Sequence, residues 1–202
     1  MKLRKFLAFG LMACSVAFIG CDKEEDNTDN GGNGGNNGSG SLTMGSVTFP
    51  INDVALALYG DGSWHQGYNI DLIISAGDWE IVEDTVFDGY ELTEEGNGAE
   101  FYAEAFTTDS VILEDGTYTF NDSSMAVMTF DYADYEYISG TDTVDGTIVS
   151  GTIEVDYSNN SYVMTVTTVD GQGNNVTASY SGGVDIYDFT GKAIRSNKKK
   201  RR

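Results

Sequence analysis

Between Leu42 and Gly191 the chain has no lysine and no arginine, although 27 aspartates and glutamates fall there. This absence excludes a Schiff-base lysine, an arginine clamp for phosphate or carboxylate, and any Lys or Arg ion pair within the segment. It also argues against nucleic-acid binding, where affinity comes from neutralising phosphates. Cysteine occurs only at positions 14 and 21, so no disulfide can form beyond residue 21. One histidine, His65, leaves little for a transition metal. The sequence Gly-x-Ser-x-Gly is absent, and with it the nucleophile elbow of many hydrolases. Proline occurs once, at Pro50, and no stretch carries a helical stripe.

What is present starts with a basic head, Met1-Lys2-Leu3-Arg4-Lys5, and an uncharged, mostly apolar run from Phe6 to Gly20. A charged head before a short apolar segment is the pattern of a secretory signal peptide, and it is too short for a lasting transmembrane span. Cys21 stands where the apolar residues stop and the acidic stretch Asp22 to Asp26 begins. Leu11-Met12-Ala13-Cys14 offers a competing cleavage point. Cutting there would leave the apolar stub Ser15 to Ile19 on the mature chain.

Phe18-Ile19-Gly20-Cys21 resembles a bacterial lipobox, with Phe18 where leucine is usual. The resemblance implies a signal peptide over residues 1–20 and a lipid, palmitate among its acyl chains, on Cys21. The following Asp22-Lys23-Glu24-Glu25 looks like the export signal of Bacteroidetes surface lipoproteins, carried here by Lys23, Glu24 and Glu25. It implies a protein anchored in the outer membrane and displayed on the cell surface.

Residues 27–41 are almost wholly Gly, Asn and Ser, a composition that reads as a flexible tether. The tether region is thus 21–41 and the folded domain 42–191, with a basic tail at 192–202. Within the domain, apolar residues alternate with polar ones at period two. Val54, Leu56 and Leu58 alternate with Ala55, Ala57 and Tyr59; Ile70, Leu72 and Ile74 form a second such set. Ile153 to Tyr157, Tyr162 to Val166 and Val176 to Tyr180 form three more, predicting an antiparallel meander over 147–187. Turns are expected at Gly60-Asp61-Gly62, Asp115-Gly116, Asp145-Gly146, Ser158 to Ser161 and Asp170-Gly171. The passage from Trp79 to Gly98 alternates poorly and is left unassigned. This pattern predicts an all-β domain, a single antiparallel β-sandwich first and a closed β-barrel second.

Leu113-Glu114-Asp115-Gly116-Thr117-Tyr118-Thr119-Phe120 is similar to a segment of small uncharacterised Bacteroidetes lipoproteins. That resemblance implies a β-sandwich on the outer surface and assigns no functional residue. Asp84-Thr85-Val86, Asp109-Ser110-Val111 and Asp142-Thr143-Val144 resemble the O-glycosylation sequence of Bacteroidetes secreted proteins, with Thr85, Ser110 and Thr143 as acceptors.

Aromatic residues carry the remaining signal. The domain holds both tryptophans, all twelve tyrosines and seven phenylalanines. Rings stack on sugar faces while carboxylates take the hydroxyls, so Trp64, Trp79, Tyr132, Tyr135 and Tyr137 form a candidate glycan platform. Against it stands ordinary core packing of the same rings. No cofactor is expected. Calcium is the alternative, at Asp53 with Asp61, at Asp78, Glu80, Glu83 and Asp84, at Asp142 with Asp145, or at Asp170 with Asn174 and Asn175, though none has EF-hand spacing. The expectation is a non-enzymatic binding or adhesion module for a glycan or envelope component, bound to the membrane through its N-terminal lipid. A structural envelope protein and a carboxylate-dependent glycoside hydrolase are the alternatives.

Overall fold

The computed structural model describes residues 38–84 and 89–190. They form twelve strands: β1 (Ser39–Met44), β2 (Val47–Asp61), β3 (Tyr68–Gly77), β4 (Glu80–Asp84), β5 (Gly89–Thr93), β6 (Gly98–Thr107), β7 (Gly116–Phe120), β8 (Thr129–Ser139), β9 (Asp142–Ser158), β10 (Ser161–Asp170), β11 (Asn175–Gly182) and β12 (Asp185–Asp188). The expected sandwich is not what forms. Nine strands follow one another in the order β1, β11, β10, β9, β7, β8, β6, β3, β2, and β2 pairs again with β1. The result is a closed barrel. It is mixed, because β7 runs parallel to β8.

The five alternating sets do point one face inward, as expected. Leu56, Leu72, Phe101, Phe130, Ile153, Met164 and Val176 share the interior with Tyr118, Tyr135 and Tyr162. Most outward positions of β9, β10 and β11, such as Glu154, Thr165 and Ser179, are exposed and polar, with Val149 and Val163 as exposed apolar residues among them. A dry interior and a wet exterior reverse the pattern of a membrane-spanning barrel.

On β2 and β3 the second face is buried too. Ala55, Ala57 and Ile73 pack with Ile81 of β4, and Tyr59, Tyr90, Leu92, Tyr102, Tyr187 and Phe189 close over them. The covering pieces are the β4–β5 hairpin, from the unassigned passage, and β12, which runs parallel to β2 from Asp185 opposite Ala55 to Asp188 opposite Leu58. Trp79 enters this hairpin fully buried. Of the expected turns, Ser158 to Ser161 is a two-residue hairpin with Asn159 and Asn160 at φ 54° and 61°. Asp145-Gly146 is not a turn: β9 runs straight through it, and Gly146 leaves room for the Tyr135 ring. β1 begins at Ser39, inside the stretch whose composition reads as tether.

The segment Leu113 to Phe120 ties three strands together. Glu114 accepts hydrogen bonds from Thr107 Oγ1 (2.9 Å), Thr108 N (2.8 Å) and Thr108 Oγ1 (2.6 Å) at the end of β6. Leu113 and Tyr118 are buried in the interior, and Asp115 Oδ1 accepts from Tyr157 N on β9.

Candidate functional site

The outer face of β3, β6 and β8 gathers the rings and acids that the barrel interior does not use. Residues 101, 103 and 105 of β6 point inward, so Tyr102, Glu104 and Phe106 point outward. Asp71 on β3 lies directly across from Glu104, and Glu104 directly across from Asp131 on β8. Three carboxylates thus stand in one cross-strand row, where Cβ atoms are about 5 Å apart.

A β-bulge shapes the β8 side. Tyr102 pairs with Asp134 and Glu104 with Asp131, so two residues, Tyr132 and Ala133, oppose Ala103 alone. Tyr132 takes φ 32°, a conformation that bulky residues rarely adopt. The bulge changes the phase of the strand. Counting back in steps of two from Tyr137, Tyr135 and Ala133 would put Asp131 inside the barrel, and the extra residue turns it outward. Tyr132 is outside by the same count, 58% exposed, with its ring edge-on to Tyr102 at a centroid distance of 6.1 Å.

At the other end of the same face, the loop after β2 folds Trp64 and His65 onto Phe106. Trp64 stands edge-on to Phe106 at 6.3 Å, and His65 is 5.4 Å from it. Gly62 makes this possible, since a Cβ there would meet His65 Nε2 at 2.6 Å and Trp64 Nε1 at 2.9 Å. Trp64 is 57% exposed. Tyr102 and Phe106 are four residues apart on one strand, a span of about 13 Å. The arrangement is therefore two exposed rings, one on either side of a row of acids that runs across the strands.

Asp71 is the most perturbed of those acids. It is almost fully buried, accepting from Tyr102 Oη at 2.6 Å and Asn69 Nδ2 at 3.4 Å. Burial pushes its pKa up to about 8 against the Tyr102 hydrogen bond, and the Glu104 charge adds to the rise. Burial, with the Asp71 charge behind it, also raises the phenols of Tyr59, Tyr90 and Tyr102 above their ordinary range.

The structure brings together only two of the five residues of the expected platform, Trp64 and Tyr132. Trp79 is buried under the hairpin, Tyr135 is buried in the barrel, and Tyr137 packs against the same interior. Alternation separates Tyr132 from Tyr135 and Tyr137 but does not say which face is the interior, and the bulge shifts the phase at Asp131. Sequence reasoning missed Asp71, Tyr102, Glu104 and Phe106; an aspartate amid the apolar run Ile70 to Ile74 was the available signal.

The expected calcium loops have other work. Asp170 accepts from Gln172 N, Asn174 N, Asn174 Nδ2 and Tyr135 Oη, all within 2.9 Å. Burial opposes its charge, but these bonds outweigh it and hold the pKa at about 2. Asp53 and Asp61 lie eight residues apart on one strand, roughly 26 Å. Asp78 accepts from Asn97 N, and the side chains of Glu83 and Asp84 fall outside the described residues. Asp142 and Asp145 are both exposed on β9, at positions of opposite parity and hence opposite faces. Among the described residues no group of three or more His, Cys, Asp or Glu side chains is placed to hold a metal.

Of the expected acceptors, Thr143 is exposed on β9 and Ser110 is half-buried in a turn where Asp109 Oδ1 accepts from Val111 N and Ile112 N. Thr85, Cys21, Lys23, Glu24 and Glu25 lie outside the described residues. Comparison with protein-family models, curated proteins and solved structures finds no match to this chain.

Proposed function

We propose that the barrel is a non-enzymatic module that binds a neutral or amine-bearing glycan on the outer face of β3, β6 and β8. The observation that supports this most is the pairing of two rings more than half exposed, Trp64 and Tyr132, across a row of carboxylates on one strand face. Exposed rings with flanking acceptors suit a sugar's apolar face and hydroxyls. The ligand's class follows from charge. With no lysine or arginine between residues 42 and 191, an anionic glycan would meet only repulsion.

Binding is favoured over hydrolysis because Asp71, whose raised pKa resembles that of a general acid, is buried and engaged by Tyr102 and Asn69. Affinity electrophoresis of the protein against soluble α-glucan, xylan, galactomannan and polygalacturonate tests the proposal. At least one neutral polysaccharide should retard it, and polygalacturonate should not. Trp64→Ala and Tyr132→Ala should each weaken that retardation about tenfold or more, as for an exposed aromatic anchor, with melting temperatures unchanged. Retention of full binding by both variants would sink the proposal.

The module's setting is proposed from the N-terminal residues: a lipid on Cys21 anchors it in the outer membrane, and Lys23, Glu24 and Glu25 direct it to the cell surface. Cys21→Ala should abolish metabolic labelling with radioactive palmitate and release the protein from membranes. Labelling that persists in Cys21→Ala and disappears in Cys14→Ala would move the anchor to residue 14.

A further inference from the structure

One carboxylate on this face has no partner for a buried oxygen. Asp131 is 6% exposed, and its Oδ1 is buried without a hydrogen bond. An unpaired buried acceptor costs free energy, and a charged one costs more. One further acid acts on its carboxyl, and a second faces it across the ladder. Glu104 stands directly opposite on β6. On the other side, Asn121 N donates to Phe130 O at 2.9 Å, which holds the 121–124 loop alongside β8. The parallel register of Phe120 with Phe130 carries Asp122 past Asp131, and the Asp122 charge reaches its carboxyl. No lysine or arginine lies anywhere between residues 42 and 191 to neutralise the group.

We infer that Asp131 and Asp122 form a calcium site between β8 and the 121–124 loop. Calcium accepts six to eight oxygen ligands, including backbone carbonyls and water, so two carboxylates on a loop can begin a site without a third acidic side chain. Asp122 is exposed, as an entry ligand should be, while Asp131 supplies the buried oxygen. The loop's other polar groups hold its shape: Asn121 Oδ1 accepts from Ser123 N and Ser123 Oγ, and Thr129 Oγ1 donates to Ser124 O and Ala126 O. So few charged ligands place the affinity in the weak range of extracellular modules, with Kd of about 0.1–1 mM. Asp131 also belongs to the carboxylate row of the glycan reading, but the calcium site does not rest on that reading, and its test uses no sugar.

The experiment is a melting curve of chelator-treated protein in calcium, magnesium and sodium chlorides at matched ionic strength. It is repeated for Asp131→Asn, Asp122→Asn and, as a control, Asp142→Asn. Calcium alone should raise the melting temperature, with the logarithm of its concentration above Kd and by about 4 °C at tenfold excess over Kd. Asp131→Asn and Asp122→Asn should each remove the rise, and Asp142→Asn should keep it. Terbium luminescence excited through tyrosine should show the same dependence and be displaced by calcium. Equal melting in the three salts, or a calcium response that survives Asp131→Asn, would overturn the inference. So would a gain on Asp131→Asn that is the same in every salt, which would mean that the orphan oxygen takes no cation.

Discussion

Asp71→Asn should match the parent in stability near pH 4 and exceed it clearly at pH 8. The unfolded carboxyl titrates near 3.8 and the folded one near 8. Between those values the unfolded chain has lost its proton while the folded chain must keep it, so folding is favoured below pH 3.8 and progressively less as pH rises to 8. At ~1.4 kcal/mol per unit, the loss across the window has an order of roughly 5 kcal/mol. Asparagine keeps an acceptor for Tyr102 and does not titrate, so the variant should lose that slope. Asp170 and Glu114 act in the opposite sense: hydrogen bonds lower both, so their contribution stands above the unfolded pKa and fails as pH falls through the folded one. The parent should therefore be most stable at about pH 4–5, between the two trends. Urea unfolding of parent and variant at pH 4, 6 and 8 measures this. Parallel profiles for the two proteins would show that Asp71 is not the source.

Such a residue is a cost that a purely structural barrel has no reason to keep. Leucine or isoleucine would suit the covered face of β3, where Ile73 is the next outward residue. Asp71 instead grips the hydroxyl of Tyr102, and the Tyr102 ring supports Tyr132, the exposed end of the candidate site. Buried acids with displaced pKa values collect at functional positions, which is consistent with a face built for a ligand.

The strands themselves were legible in the sequence. Alternation picked the inward residues of β2, β3, β9, β10 and β11, because period two is a local property that survives any sheet arrangement. Closure was not legible. Whether a sheet splits into two layers or curls on itself depends on which strands pair across long separations. Here that is β1 with β11, involving only Ser39 to Met44, while β1 also stays paired with β2 across a two-residue turn. The site was half legible for a related reason. Trp64 and Tyr132 could be named, and alternation sets Tyr132 on the face opposite Tyr135 and Tyr137, but one inserted residue in β8 decides that Asp131 joins Glu104 on the outer face. Asp71 escaped notice because its run is apolar on both sides, which means burial on two faces and not alternation.

Gly40→Val should cost at least about 3 kcal/mol, since the collision involves backbone and not a movable side chain. Gly40 is paired with Tyr180 in the β1–β11 ladder, and a Cβ there would lie 2.1 Å from the Ser179 carbonyl oxygen and 2.9 Å from Tyr180 Cα. To accept valine, β1 must leave β11, and the barrel opens at its closing strand. In a domain of about 150 residues that loss lowers the melting temperature by about 10 °C. Two other readings predict different outcomes. If residues 27–41 were a loose tether, valine at 40 would change nothing. If β1 were an open edge of a sandwich, a β-branched residue would favour the strand over glycine. Gly45→Ala is the control: it sits at φ 60° in the β1–β2 turn with nothing within 4 Å, so it should cost only about 1 kcal/mol of backbone strain. Thermal melts of the two variants beside the parent decide the matter. A Gly40→Val protein that melts within a degree or two of the parent would mean that β1 does not close the barrel.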